Sequence, residues 1–135
     1  MNPLGPLAAG TAFFSIWLGH VGVRRLEAVS PRLWVPSVVL LAAGGLFEWT
    51  AASAHSLPTS TAAGIFGITL LWDSIELWRQ EHRVRRGHAP ANPANPRHRG
   101  FLEEPGSQAT TLDWLKRDPV ERALGLEEPV EAVQH

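Results

Sequence analysis

Three apolar runs dominate the first eighty residues and restrict what this chain can fold into. The runs cover residues 5–23, 33–54 and 62–80. Each is close to the roughly 20 residues that a helix needs to cross a ~30 Å hydrocarbon layer. Residues 1–78 carry only seven acidic or basic side chains, whereas residues 79–135 carry eighteen. Because a soluble domain would spread its charges over the whole surface, we predict an all-α fold, a three-helix transmembrane bundle.

The placement of arginine predicts the orientation of these spans. Arg24, Arg25 and Arg32 follow the first run, residues 55–61 after the second run hold no Lys or Arg, and the cluster Arg79–Arg86 follows the third. Three spans with the N-terminus outside put both clusters in the cytoplasm, as the positive-inside rule requires. Two spans would put them on opposite sides. The second cluster is also positioned to contact anionic lipid headgroups.

The C-terminal part has a different composition. After the transmembrane domain, residues 1–86, we predict an extended strap rich in Pro, Asn and Arg over residues 87–100. Residues 101–135 form an acidic tail, with eight Asp or Glu against three Lys or Arg. Two short helices are expected in it, over residues 111–116 and 119–124. Its apolar side chains are too few for an independent core and are expected to dock on the cytoplasmic side of a larger assembly: Leu112, Trp114, Leu115, Val120 and Leu124.

Ionisable side chains within the apolar runs are the candidate site residues. His20 and Asp73 are expected at nearly the same depth, with Glu76 one turn nearer the cytoplasm, and Glu48 near the outer end of the second span. Such groups cost a few kcal/mol or more in the membrane unless they are paired or hydrated. The cluster predicts either pairing between helices or a proton relay, ion site or ligand site.

Other classes of site lack support in the sequence. There is no cysteine, and no close His-x-x-His or Glu-x-x-His pair, so we expect no metal site. Without a nucleophile motif or a glycine-rich phosphate loop, we expect neither an enzyme nor a bound cofactor. A net charge of −1 and the lack of interleaved stacking aromatics argue against nucleic-acid binding. Close helix packing is expected at the small residues Ser15, Gly19, Gly44, Gly45, Ala63 and Gly67.

Residues 72–93, WDSIELWRQEHRVRRGHAPANP, carry a family resemblance. The string is similar to the end of a family of small three-span bacterial membrane proteins that is catalogued only as a domain of unknown function. The signature positions are Trp72, Glu76, Leu77, Gln80, Glu81, Arg83, Val84, Gly87, Pro90, Asn92 and Pro93. His20, Glu27 and Glu48 also match, so the likeness covers about residues 10–96. Asp73 stands where the family pattern has a serine. The resemblance implies a topology and no activity.

Together these features predict a multi-pass protein of the bacterial inner membrane with no catalytic activity. We expect an accessory subunit of a larger complex, such as a respiratory or photosynthetic electron-transfer assembly, held by its helices and its tail. The alternative is a small oligomeric transporter or proton-conducting module that uses His20, Asp73, Glu76 and Glu48. An enzyme acting on lipid or quinone has only this polar cluster in its favour.

Overall fold

The computed structural model describes residues 2–113, and within that range the chain forms four α-helices and no strands. The helices are α1, Leu4–Val29; α2, Trp34–Ser53; α3, Leu57–Arg85; and α4, Pro96–Glu103. The prediction of an all-helical fold is therefore confirmed for these residues. Helices α1 and α2 are long and apolar enough to cross a membrane, with mean hydropathies of 1.3 and 1.4 over 18-residue windows.

Helices α1 and α3 are longer than the apolar runs that predicted them. Helix α1 continues through Arg24 and Arg25 to Val29, so most of the segment between the first two apolar runs is helical. The reason is that arginine, leucine, glutamate and alanine are all good helix formers, and the first strong stop is Pro31. Helix α3 begins at Leu57, five residues before the third apolar run, because Pro58 fits the first helical turn.

The helix α3 lies in the centre and packs against both α1 and α2, which barely touch each other. On the α1 side, the hydroxyl oxygens of Ser15 and Thr69 lie 3.3 Å apart. One turn further along both helices, Gly19 faces Asp73. Residue numbers of both helices increase in the same direction along this contact, so α1 and α3 run parallel. Both end at the same end of the molecule, which contains Arg24, Arg25 and the cluster Arg79–Arg86 and is called the arginine-rich end below.

Helix α2 runs antiparallel to α3. The Ser60 hydroxyl donates a hydrogen bond of 2.8 Å to the Ala51 carbonyl near the turn between the two helices. Further from the turn, Gly44 faces Leu71 so closely that a Cβ at Gly44 would lie 2.8 Å from that side chain. The small residues predicted at helix contacts are buried, except Gly45, which faces open space.

After α3 the chain folds back against the arginine-rich end. The amide of His88 donates to the Arg83 carbonyl at 2.8 Å and that of Gly87 to the Val84 carbonyl at 3.0 Å, a Schellman motif that ends the helix. Gly87 has φ +70°, in the left-handed region that glycine tolerates best. Residues 88–95 are non-helical, as predicted for the strap.

The end of the predicted strap is wrong, because residues 96–100 belong to helix α4. Asn95 caps this helix and Pro96 occupies its first turn. A small apolar cluster beneath it contains Val84, Ala89, Ala91 and Phe101. In the tail, Leu112 is partly buried and residues 111–113 are not helical, contrary to the start predicted for the first tail helix. The predicted helix at 119–124 and the docking residues Trp114, Leu115, Val120 and Leu124 lie outside the described residues.

Candidate functional site

A cavity of about 500 Å³ lies between α1 and α3 near their arginine-rich end. His20 contributes to its wall from α1, and Asp73 and Glu76 contribute from α3, so the structure brings these three predicted residues together. Glu48 does not belong to this group. Its carboxylate lies against Gly67, where a Cβ would come within 2.6 Å of one oxygen.

Arginines of α3, rather than His20, hold the carboxylate of Glu76. Arg79 Nε lies 3.3 Å from one carboxylate oxygen, and Arg83 donates to the other. Arg83 also donates a hydrogen bond of 2.9 Å to Gln80 Oε1. The paired residues are three or seven positions apart, spacings of one or two turns that place side chains on one helix face. Glu76 is thus paired along its own helix, at the wall of the cavity.

Asp73 has a different environment. The residue is only 8% exposed, and it makes no hydrogen bond or ion pair within residues 2–113. Its carboxylate packs against Gly19, where a Cβ would lie 2.6 and 2.8 Å from the two oxygens. Glycine at this position of α1 therefore makes room for the carboxylate between two helices. Asp73 presents a buried hydrogen-bond acceptor to the cavity.

A second polar group, the Glu27 cluster, consists of Glu27, Glu81, Arg97 and His98. Glu27 and His98 are 1% and 0% exposed. Glu27 Oε1 receives hydrogen bonds from Arg97 Nη2 at 2.9 Å and from His98 Nε2 at 2.8 Å. Arg97 Nη1 also lies 3.5 Å from Glu81 Oε2. This cluster ties the helix α4 to both α1 and α3.

The hydrogen bonds of His98 define which ring nitrogen carries the proton. The backbone amide of Asn92 donates to His98 Nδ1 at 2.8 Å, so Nδ1 acts as the acceptor. The proton therefore sits on Nε2, which donates to Glu27. The ring also stacks on Phe101, with centroids 5.7 Å apart. Contacts at both ring nitrogens and on one face of the ring therefore fix the orientation of His98.

Two asparagine side chains complete the attachment of the folded-back segment to α1. Asn92 Nδ2 donates to the carbonyl of Ala28 at 3.0 Å. Asn95 Nδ2 donates to the same carbonyl and to that of Ser30, both at 3.1 Å. Carbonyl groups at the end of a helix lack partners within the helix, so these amides satisfy groups that would otherwise need water.

The sequence reasoning missed Asn95, Arg97 and His98. An asparagine directly before a proline is a signal for a helix start, which could have indicated α4. Nothing in the local pattern indicates that Arg97 and His98 share a buried carboxylate with Glu27, about seventy residues earlier.

The predicted signature residues acquire structural roles. Arg79 lies over the Trp72 ring, 5.7 Å from its centroid, and Arg85 donates to Glu81 at 3.1 Å. Leu77 and Val84 are fully buried. Pro90 lines the cavity, and the Pro93 carbonyl accepts from Arg99 at 3.5 Å. The signature thus describes how the end of α3 holds the segment that follows it.

No group of three or more His, Cys, Asp or Glu side chains that could hold a metal ion occurs in the part of the chain that the structure describes. The arrangement can accept hydrogen bonds at Asp73 and donate them from arginines and Gln80. These polar groups sit beside the apolar walls Ile16 and Val23. Such a mixture is typical of small-molecule sites, which are concave and mostly apolar with a few polar groups.

The fold and the cavity define an all-helical protein with two helices suited to a membrane and a polar site at one end. A family model described as Domain of unknown function (DUF4491) matches residues 2–95, and the chain belongs to this family. The resemblance predicted from the sequence is thereby confirmed. No curated protein and no solved structure matches the chain. Arg97 and His98 lie just beyond the matched residues.

Proposed function

We propose that this protein is a three-span protein of the bacterial inner membrane that acts as a non-catalytic accessory subunit of a larger complex. The observation that carries the proposal is the outer surface of α1 and α2. Of the 20 residues of α2, only Gly44 is buried. Large apolar side chains such as Val39, Leu46 and Trp49 are more than half exposed. A surface of this kind needs lipid or other apolar helices to cover it.

The packing of α3 supports the third span. It lies between α1 and α2, parallel to the first and antiparallel to the second, so if these two helices cross a membrane, α3 occupies the same layer. Its charged residues lie in its second half, and Glu76 is paired with arginines of the same helix. The parallel arrangement also puts Arg24 and Arg25 of α1 and the arginines of the last turns of α3 at one end of the bundle, which supports a cytoplasmic location for that end.

The attachment of α4 supports the role of a subunit. A buried network of ion pairs and hydrogen bonds fixes residues 92–103 against α1 and α3. This gives a small protein a defined cytoplasmic face in addition to its apolar helix surfaces. Partner proteins are proposed to contact this cytoplasmic face and the apolar helix surfaces, and the acidic tail is proposed as a further point of attachment.

Photo-crosslinking in intact membranes tests the proposal. A photoreactive amino acid at Val39 or Leu46 is expected to form adducts with one or two discrete proteins, which mass spectrometry identifies. Leu57, exposed at the first residue of α3, provides a control position away from the middle of the α2 surface. If both α2 positions yield only lipid adducts, and the chain purifies alone in mild detergent, the subunit role is wrong.

The cavity favours a second candidate function, a small oligomeric transporter or proton-conducting module. His20, Asp73 and Glu76 line it together, and ionisable side chains on membrane-spanning helices often mark proton or ion pathways. Reconstituted vesicles would then show proton or ion flux that Glu76→Gln and His20→Ala reduce. Flux that is equal in the native chain and both variants removes this candidate.

A further inference from the structure

We propose that the cavity between α1 and α3 binds a neutral amphiphile through a hydroxyl group that donates a hydrogen bond to Asp73. The inference rests on the proposed membrane location and goes beyond the subunit role. The volume of the cavity, about 500 Å³, is within the range of roughly 300–1,000 Å³ typical of small-molecule sites.

Two polar side chains, each more than nine-tenths buried, contribute to this cavity. Asp73 offers carboxylate oxygens with no hydrogen-bond donor among residues 2–113. Gln80, two turns further along α3, has its Oε1 occupied by Arg83, which leaves its amide nitrogen as a donor. A hydroxyl of the ligand donates to Asp73, and a second polar oxygen of the ligand accepts from the amide of Gln80. Because both polar groups of the ligand are then hydrogen-bonded, removing them from water costs little free energy.

The charges around the cavity favour a neutral ligand. Arg83 is paired with Glu76, so it contributes little net charge to the cavity. Arg24 and Asp113, which also line the cavity, have opposite charges. The end nearer the arginine-rich surface therefore attracts neither a cation nor an anion strongly. Asp73 disfavours an anion at the inner end. A neutral hydroxyl donor meets Asp73 without adding a charge at membrane depth, where a further charge is costly.

The apolar walls indicate the route and the body of the ligand. Ile16 and Trp72 line the cavity and are each more than half exposed on the outer surface of the helices. In a bilayer this side faces lipid, so an apolar chain can remain among lipid tails while the polar head enters the cavity. Two sources share this chemistry: the hydroxylated ring of a quinol, and the free hydroxyl of a glycerolipid.

Binding to the full chain in phosphatidylcholine nanodiscs tests the proposal, with native mass spectrometry as the readout. One arm uses a decyl-substituted hydroquinone, the other a monoacylglycerol, and each is compared with its dimethyl ether, which has no hydroxyl group left to donate. We expect one molecule of at least one amphiphile per chain. The dimethyl ether should bind about tenfold more weakly, because a hydrogen bond to a charged group is lost. Binding of the hydroquinone would identify the ligand as a quinol, and binding of the monoacylglycerol would identify it as a glycerolipid.

Variants of the protein place the interaction at Asp73. Asp73→Leu keeps the shape of the side chain and removes its acceptors, so affinity should fall about tenfold. Gly19→Ala displaces the carboxylate without removing it and should weaken binding in the same direction. Gly22→Ala, one turn further along α1, adds a Cβ that meets no atom within 4 Å and should leave binding unchanged.

The proposal is overturned if neither amphiphile binds, or if Asp73→Leu binds both as tightly as the native chain. If Asp73→Leu fails to fold, the comparison with dimethyl ethers on the native chain decides, and equal binding of ether and alcohol overturns the proposal. Amphiphile binding without crosslinks at Val39 or Leu46 contradicts the subunit role alone. Crosslinks without amphiphile binding contradict this inference alone.

Discussion

At the scale of single residues, carboxylates that look alike in the sequence have different partners in the fold. Glu76 pairs with arginines of its own helix, Glu27 with residues about seventy positions later, and Asp73 with no donor among residues 2–113. The sequence shows which groups are ionisable and on which helix face they lie. It does not show which distant donor reaches which carboxylate, because that depends on how the chain folds back after Gly87.

Removing the charge of Glu27 should loosen α4. In Glu27→Gln, the buried Arg97 loses its charged partner on α1 and keeps the hydrogen bond to the backbone carbonyl of residue 27 and the longer contact with Glu81. Breaking a buried ion pair typically costs about 3 kcal/mol. Hydrogen exchange of the amides in residues 92–103 should therefore show an opening free energy lower by roughly that amount. The matched change Glu103→Gln, at an exposed position of α4, should leave exchange unaltered. Equal protection in native and Glu27→Gln protein would show that the cluster does not hold the segment.

At the scale of helices, contacts depend on a few small or polar residues. Asn95 performs two functions with one side chain: its oxygen accepts from the Arg97 amide at 3.0 Å and caps α4, and its nitrogen donates to carbonyls of residues 28 and 30. The packing of α2 against α3 depends in a similar way on glycine at two positions, Gly44 of α2 and Gly67 of α3.

Two substitutions separate the functions of Asn95. Asn95→Asp keeps the capping oxygen and loses the donors, so α4 should persist while the amides at the end of α1 exchange faster. Asn95→Ala loses both functions and should destabilise α4 by about 1 kcal/mol more. Hydrogen exchange resolves the two regions. If Asn95→Asp protects the end of α1 as well as asparagine does, the proposed bonds to the carbonyls are not important.

Adjacent glycines of α2 provide a test of the contact with α3. A Cβ at Gly44 would lie 2.8 Å from the Leu71 side chain and 3.0 Å from the Gly67 carbonyl oxygen. Gly44→Ala should therefore lower the free energy of unfolding by about 1–3 kcal/mol, the usual cost of overpacking. Gly45→Ala meets nothing within 4 Å and should raise it by about 0.5–1 kcal/mol, because alanine favours a helix. Titration with a denaturing detergent measures both. Equal effects at the two positions would contradict this packing.

At the scale of the whole molecule, the sequence predicted the helical fold, the three long helices, the proximity of His20, Asp73 and Glu76, and the family. These follow from apolar length and from helical spacing, which are local properties. The predicted C-terminal ends of α1 and α3 were too early because charged residues continue a helix as readily as apolar ones. The predicted start of α3 was too late because Pro58 fits the first helical turn. The helix α4 and the Glu27 cluster were missed because their stability comes from contacts between distant segments.

The proposed topology makes the arrangement of the chain across the membrane the central claim. The chain has no cysteine, so a single introduced cysteine is the only thiol in the protein that a labelling reagent can modify. Three exposed positions are suitable: Ser56 between α2 and α3, Pro31 between α1 and α2, and Glu104 after α4. Three spans with the N-terminus outside place Ser56 outside and the other two in the cytoplasm.

Labelling of intact cells with a membrane-impermeant maleimide distinguishes the topologies. We expect Ser56→Cys to react in intact cells, and Pro31→Cys and Glu104→Cys to react only after the membrane is permeabilised. Reaction of Glu104→Cys in intact cells, with Pro31→Cys protected, would mean that only two helices cross the membrane. That result would contradict the proposed three-span topology.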